Sequence, residues 1–350
     1  MSIRIAIHED SFTFPQGHQS FSDAWFDLVQ GYSNVVASKV SAITPSSIRS
    51  LKHYDAFMWR PVRRSEVALA KRVIPAIRRG VGIPTFPSPH VAGLTRDKIA
   101  QAYVLEALGL PVPRTQVCYD LDHCLDEIRD SEYPLVIKTP DGRGSEGVAL
   151  LKNREEAESC VKQLFTNGVN GLWEALGSRE RLLWRRWKSA ARLAAGRSVC
   201  LGREGGEVVL QEFIPNNAFD VRIVVVGRYA FGFRRNNREN DFRASGSGSL
   251  VWSDSDIDRD TVSIAFQASR ALDAPFLAFD FLRRGAAPLI CEINFAYAAW
   301  SVKPCESYWF LDDKLQPDQA EFRRGEVHPE RWTLEEFLHW EGFDVTRRLD

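Results

Sequence analysis

Residues 277–294, Leu-Ala-Phe-Asp-Phe-Leu-Arg-Arg-Gly-Ala-Ala-Pro-Leu-Ile-Cys-Glu-Ile-Asn, restrict the fold more than any other stretch. Two apolar runs flank a short turn containing Gly and Pro, the pattern of a β-hairpin. The first run carries Asp280, the second Glu292 and Asn294. Positions 280 and 292 are symmetric about residue 286, so their side chains are expected to face each other across an antiparallel pair. Glu292 and Asn294, two residues apart, share one face of their strand. Phe279, Phe281, Ile290 and Ile293 would wall this patch. Asp and Asn are disfavoured in strands, and two facing carboxylates in a half-buried place repel unless a cation lies between them. Oxygen donors without Cys or His suit Mg²⁺. The structural alternative is a solvated hairpin edge with both carboxylates in water.

The remainder of the chain bears on that choice. At 350 residues it can hold two or three packed domains. Lys and Arg number 45 against 46 Asp and Glu, so net charge gives no reason to expect nucleic acid as a partner. The six cysteines form no CxxC pair, which points to reduced thiols and a cytoplasmic setting. Cys118, His123 and Cys124 lie close together, but the second ligand pair of a zinc site is missing. Arg4 and His8 interrupt the first apolar run, so no signal-peptide h-region is expected, and no run approaches a membrane span.

In chain order, strands at 3–7, 34–40 and 56–59 alternate with helices at 21–30 and 66–79, the latter closed by Gly80. This alternation predicts a small parallel α/β domain. Ligands bind such sheets at the C-terminal strand ends. His8, Glu9, Asp10, Trp59 and Arg60 are therefore candidate substrate contacts, with loop solvation and helix capping as the plainer reading. A Pro- and Gly-rich stretch at 80–95 marks a domain boundary. Thr95 is expected to cap a helix that has Lys98 near its start.

Lys138 ends a strand, Asp141-Gly-Arg-Gly-Ser-Glu-Gly follows, and a second strand runs over 148–151. This is a hairpin with a Gly-rich tip. Gly142, Gly144, Ser145 and Gly147 allow backbone amides to fold over phosphate oxygens, and a Lys at the mouth adds a point charge for phosphate. The loop is not a Walker A motif, because it joins two strands and lacks Gly-Lys-Ser/Thr. Residues 171–197 carry seven Arg or Lys and two Glu, with Trp184 and Trp187 at helical spacing. The segment could meet an anionic surface or a glycan phosphate, or be a helical excursion with its tryptophans packed inward. Residues 208–215 form a strand ending at Pro215, and 220–235 a hairpin turning at Gly227-Arg228. Asp220, Arg222, Arg234 and Arg235 lie at the open end of that hairpin. Arg243 beside a Ser/Gly run offers an anion cradle.

Gln211-Glu-Phe-Ile, Asp220-Val-Arg, Asp241-Phe-Arg and Cys291-Glu-Ile-Asn follow a Lys-bearing helix start and a Lys-bearing Gly-rich hairpin. This ordered series resembles the ATP-grasp superfamily, in its glutathione-synthetase-like branch with the ribosomal-protein glutamate ligases. The resemblance spans residues 95–295. It implies an α/β fold of the α+β ATP-grasp kind: an N-terminal parallel α/β domain (1–92), then two ATP-grasp subdomains with antiparallel sheets. The smaller (93–210) would carry the lid and the basic insertion, and the larger (211–350) the metal hairpin and a C-terminal cap.

The resemblance further implies that Lys98 and Lys138 hold ATP phosphates under a lid formed by residues 142–147. Glu212, Phe213 and Ile214 would meet adenine, and Asp220 the ribose. Arg243, one of Arg234 and Arg235, and Arg222 would stabilise the transferring phosphoryl group. Asp280, Glu292 and Asn294 would hold two Mg²⁺ ions, or Mn²⁺ in their place. The implied activity is ATP-dependent carboxylate–amine ligation through an acyl phosphate, releasing ADP and phosphate. Such chemistry needs positioning and charge neutralisation more than a protein nucleophile, and no Ser-His or Cys-His pairing or general base is evident. Phosphotransfer to a small molecule or sugar, or a non-catalytic ATP-binding scaffold, are the alternatives. The tail motifs around Cys305 and Pro329 are similar to those of ATP-grasp proteins encoded with surface-polysaccharide genes, which implies a role there or in secondary metabolism. A homo-oligomer is expected. An Arg60–Arg222 pair beyond the γ-phosphate would mark a carboxylate pocket.

Overall fold

The alternating β-branched residues of Ile-Arg-Ile-Ala-Ile-His form β1 (Ile3–His8), which lies inside a parallel sheet. β2 (Val35–Val40), β3 (Ala56–Met58) and β4 (Thr85–Phe86) complete it in the order β2-β1-β3-β4. The computed structural model describes residues 2–9, 20–141, 147–168 and 206–348. Asp10, the loop positions Gly142, Gly144 and Ser145, and the basic 171–197 segment lie outside the described residues.

α1 (Phe21–Leu28) starts at Ser20, whose Oγ accepts from Asp23 N at 3.0 Å. α2 (Arg64–Ala76) is held at its start by Glu66, which accepts from the backbone of Arg63 at 2.9 Å. One wider turn (Ile77–Val81) extends it, and Gly82 at φ +84° closes it. The stop therefore lies two residues beyond Gly80, at the glycine that supplies the left-handed conformation. α3 (Pro89–Leu94) is capped by Ser88. Thr95 ends this helix, its Oγ1 donating to Val91 O at 2.7 Å, and does not begin the next one. Asp97 is the cap of α4 (Lys98–Ala107) and accepts from Ala100 N at 3.0 Å.

β5 (Thr115–Cys118), α5 (Leu121–Asp130), β6 (Leu135–Lys138), β7 (Val148–Leu151), α6 (Arg154–Asn167) and β8 (Val208–Glu212) follow. Their strands make an antiparallel sheet, β5-β8-β6-β7. Cys118, Cys124, Ile137, Cys160, Leu164 and Leu210 meet in the core between the sheet and its helices.

The third sheet is built from β9 (Phe219–Val226), β10 (Tyr229–Asn236), β11 (Leu250–Val251), β12 (Phe276–Arg284), β13 (Ala287–Asn294), β14 (Ser307–Phe310) and β15 (Glu321–Arg324). Its order is β13-β12-β9-β10-β14-β15, with β11 also on β10. α7 (Arg259–Ala271), α8 (Ala299–Val302) and α9 (Pro329–Trp340) accompany it. Phe86 of β4 packs within 5.0–5.7 Å of the rings of Phe276, Phe295 and Phe337, and so joins the parallel sheet to β12, the chain after β13, and α9. Trp25 Nε1 donates to Glu330 O at 3.1 Å, fastening α1 to the same helix.

Two units result. The first comprises Met1–Thr95, Ala218–Leu282 and Ile290–Asp350, the second Arg96–Asn217 and Arg283–Leu289. The parallel sheet and the seven-stranded sheet thus share the first unit. No helix among the described residues is long and apolar enough to cross a membrane.

At Gly232 the backbone of β10 approaches that of β9 closely. A Cβ there would lie 2.4 Å from the Arg222 carbonyl oxygen and 2.8 Å from Ile223 Cδ1. The obstacle is backbone in a central strand pair, so it cannot swing aside. Gly232→Ala is expected to cost about 1–3 kcal/mol. Urea denaturation should show a lower midpoint with unchanged slope, and a wild-type midpoint would contradict the close approach.

Candidate functional site

Strand register alone collects four charges on one face of the third sheet. β9 and β10 pair Asp220 with Arg235, and β9 and β12 pair Arg222 with Asp280. Directly opposed residues share a face, as do residues two apart, so Asp220, Arg222, Arg235 and Asp280 emerge together. Arg222 grips Asp280 with both ends, Nε to Oδ1 at 2.7 Å and Nη2 to Oδ2 at 2.8 Å. Arg235 holds Asp220 through Nε at 2.7 Å and Nη2 at 2.5 Å, and the same Nη2 lies 2.8 Å from Asp280 Oδ2. Arg235 therefore bridges the two carboxylates. Arg234 points to the opposite face and pairs with Asp256 at 3.0 Å, so of the two neighbouring arginines only Arg235 joins the cluster.

Burial raises both acids, but the outcomes diverge. At Asp280 the charges of Arg222 and Arg235 outweigh burial and hold the carboxyl down at about 2. At Asp220 burial prevails over Arg235, and its pKa is raised. The two arginines thus favour the charged form of Asp280, whereas burial favours the neutral form of Asp220.

The turn of the opening hairpin is Gly285-Ala286. A two-residue turn centres the hairpin between these residues and not on 286, so the direct facing of Asp280 and Glu292 does not follow from symmetry. Glu292 and Asn294 are half-buried at the end of β13 and flank the buried Ile293, which places them on one face. Among the described residues no three His, Cys, Asp or Glu side chains gather as a metal cluster; the third donor of the expected set is the Asn294 amide. Three all-oxygen side chains suit Mg²⁺. A carboxylate offers about four lone-pair sites, and the arginines take one on Oδ1 and two on Oδ2 of Asp280. Oδ1 keeps a position for a cation. Arg243 is buried and clasped by Asp241, with Nε to Oδ1 at 2.8 Å. Against the effect of burial, hydrogen bonds from Arg243 keep Asp241 below the usual carboxylate range.

The second unit holds its own set. Thr139 N donates to Gly147 O at 2.8 Å, closing the base of the β6–β7 hairpin. Gly147 sits at φ +72°, and a Cβ there would lie 2.0 Å from Thr139 Oγ1, so both conformation and space demand glycine. Lys98 N donates to Pro140 O at 3.1 Å, which brings the start of α4 to the strand end that carries Lys138. Both lysines are buried. Thr139 Oγ1 is buried without a hydrogen-bond partner among the described residues. Two buried ammonium groups and an unsatisfied hydroxyl beside a Gly-based hairpin fit a phosphate group. Glu212 ends β8 and ion-pairs with Arg284, while Ile214 is buried beyond it. Asn217 ties this stretch to the hairpin tip, accepting from Arg283 N at 2.8 Å.

Arg222 and Arg60, expected from the sequence as a guanidinium pair, have different immediate surroundings. Arg222 is committed to Asp280, and Arg60 packs against the rings of Phe21 and Tyr297. His8 stacks on Trp59 at 4.1 Å. The five described cysteines are unbridged, and burial pushes Cys160 and Cys305 up to about 12, which removes them as nucleophiles. The Asp220–Arg235 pair was within reach of the sequence, since both positions are equidistant from the Gly227-Arg228 turn. The Arg222–Asp280 pair was not, because it requires knowing that β12 lies beside β9.

A model of the RimK-like ATP-grasp domain matches residues 194–303. The Klebsiella pneumoniae (strain 342) protein named "Probable alpha-L-glutamate ligase" is 25% identical over 276 residues, 77% of each chain. The Sulfolobus acidocaldarius protein named "Glutamate--LysW ligase ArgX" is 21% identical over 235 residues, 67% of this chain and 70% of that one. Among solved structures, D-cycloserine synthetase DcsG superimposes with a TM-score of 0.55 at 16% identity, over 95% of this chain and 99% of that one. That likeness speaks for the fold. The chain is thus similar to RimK-like ATP-grasp ligases in sequence, with a RimK-like ATP-grasp domain matched over residues 194–303, and similar to D-cycloserine synthetase in fold.

Proposed function

We propose that the protein joins a carboxylate to an amine at the expense of ATP, through an acyl phosphate, with L-glutamate as the first substrate to try. The observation that carries this reading is the Asp220–Arg235–Asp280–Arg222 cluster on the third sheet. In the first unit, Asp280, Glu292 and Asn294 hold Mg²⁺, and Asp220 takes the ribose hydroxyls. Arg235 and Arg222 fix the two acids, and Arg243 faces the transferring phosphoryl group. In the second unit, Lys98 and Lys138 bind phosphate oxygens, and the backbone at Glu212, Phe213 and Ile214 meets adenine. When bound, Mg²⁺ neutralises phosphate charge. The carboxylate oxygen takes the γ-phosphoryl group and ADP leaves. The amine then attacks the acyl carbon, the C–N bond forms, the bond to phosphate breaks, and the ammonium proton passes to solvent. Both relatives named above are glutamate ligases by name, which supports glutamate without fixing the acceptor. A glycan-linked acceptor and a homo-oligomeric assembly belong to the same reading.

ADP release should be followed with ATP, Mg²⁺, L-glutamate and a panel of amines. Ligation predicts one free phosphate per ADP and a product gaining the amine's mass less water. Phosphate retained on the product would instead mean phosphotransfer, and nucleotide binding without turnover would mean a scaffold. Asp280→Asn and Glu292→Gln should each lower turnover about a hundredfold or more; intact turnover in both would remove the metal assignment.

Asp280 already shares three lone pairs with guanidinium groups, so it is a weak ligand by itself. Mg²⁺ also prefers one or two carboxylates supplemented by phosphate oxygens. Calorimetry should therefore show little heat with Mg²⁺ alone and clear binding once a non-hydrolysable ATP analogue is present. Equal Mg²⁺ binding with and without nucleotide would contradict this dependence.

A further inference from the structure

We propose that β15 is the contact face for a second copy of this chain, which adds its own β15 antiparallel about a two-fold axis at Phe322. Among the described residues β15 ends the third sheet and pairs only with β14. All four of its residues are exposed. An edge strand of this kind offers unpaired backbone groups to another strand. Their direction follows from the ladder. Gly325 N donates to Glu306 O at 2.9 Å, and bonded pairs recur at every second residue. Arg323 and Glu321 therefore bond inward to Tyr308 and Phe310 of β14. Phe322 and Arg324 turn their N–H and C=O groups to the open edge.

The side chains select the register. A two-fold axis through an antiparallel pair keeps each residue on its own face, so only residues of equal parity can oppose each other. Centred on Phe322, the pair sets Glu321 against the partner's Arg323 and Arg323 against the partner's Glu321. Within one chain Arg323 Nη2 already lies 2.7 Å from Glu321 Oε2. The contact thus arranges four charges of alternating sign, each acid beside two arginines. On the opposite face Phe322 is 41% exposed, its ring 5.2 Å from that of Trp309, and it meets the partner's Phe322. Moving the centre to Arg323 would oppose two arginines directly, which like charge disfavours. Edge charges usually prevent pairing. The order Glu-Phe-Arg instead makes this strand complementary to its own reverse, as an isologous contact requires.

The contact is small. Ala320 O already accepts from Arg259 Nη1 at 3.3 Å, so the new backbone bonds concentrate at Phe322. Such a core buries much less than the roughly 1,600 Å² of a standard interface, and exposed ion pairs supply specificity more than strength. The two copies are therefore in concentration-dependent exchange. β14 and β10 separate β15 from β9, which carries Asp220 and Arg222, so pairing at β15 does not engage the charge cluster. The proposal is independent of the ligase reading, and its test measures association rather than turnover.

Sedimentation velocity of the full chain, over about a hundredfold range of concentration reaching the sub-millimolar, should show a monomer–dimer equilibrium. Arg323→Glu and Glu321→Arg each oppose like charges at both symmetric contacts, and each should raise the dimer Kd about tenfold or more. Phe322→Ala should raise it severalfold. Glu321→Arg and Arg323→Glu combined in one chain should restore the wild-type constant. Mixing the two single variants, one of them fluorescently labelled, should give a mixed dimer of wild-type strength, which a folding defect could not produce. Thermal midpoints should be unchanged in all of them. A wild-type chain that stays monomeric throughout overturns the proposal. So does a dimer equally strong in both single variants, which would use another face, or single variants that fail to pair with each other. Intact dimerisation without ADP release would count against the ligase reading alone, and turnover without dimerisation against this contact alone.

Discussion

Arg235 is the residue on which the site's geometry depends. It stands on β10, its first partner Asp220 on β9 and its second partner Asp280 on β12. One guanidinium thus fixes the lateral position of three adjacent strands at the level where function concentrates. A buried ion network of this kind is weak evidence for stability, because well-packed apolar residues often do as well. What it supplies is placement. It opposes two acids to two bases, keeps Asp280 ionised, and leaves Asp220 the more easily protonated of the pair. A purely apolar face could give the sheet the same cohesion but could not hold two carboxylates at fixed positions.

The frame around that network explains why it can be so exact in register. Gly232 lies one position from Phe233, the cross-strand partner of Arg222, and lets β10 approach the Arg222 carbonyl more closely than any side chain would allow. Behind the sheet, Phe86 gathers Phe276, Phe295 and Phe337. The strand that begins with Phe276 is the strand that delivers Asp280, so a ring from the parallel sheet supports the position of a charge several residues away. The first unit is therefore a single mechanical object in which the N-terminal sheet braces the candidate catalytic sheet.

Much of this was legible in the sequence, for a physical reason. Period-two alternation, β-branched runs and Gly-centred turns are local signals, and they located the strands at 208–212, 219–226, 229–236, 276–284 and 287–294 closely. The ordered motifs pointed to the same family whose model matches residues 194–303. Three things were not legible. Helix caps shifted from Thr95 to Asp97 and from Gly80 to Gly82, because several residues nearby can play the same local part and tertiary context selects one. The hairpin centre moved by half a residue, because the turn took two residues rather than an odd number. The pairing of Arg222 with Asp280 depended on the neighbour of β9, which is a property of the whole sheet. Arg234 and Arg235 look alike in sequence, yet strand parity sends one to Asp256 and the other to the site.

The arginines also divide the work by what already touches them. Arg222 and Arg235 have their donors engaged by carboxylates at 2.5–2.8 Å, and Arg243 is clasped by Asp241. A substrate anion arriving at Arg222 or Arg235 would have to displace a buried acid and leave it exposed to the penalty of an unpaired charge. These two are consequently positioning residues, poorly suited to capturing substrate. Arg60 is held differently, by aromatic faces at 4.0 and 5.5 Å. Those rings restrict the plane of its guanidinium, as the carboxylates restrict the planes of Arg222 and Arg235. The same side chain is thus fixed in two ways, by carboxylates within the third sheet and by aromatic faces after β3.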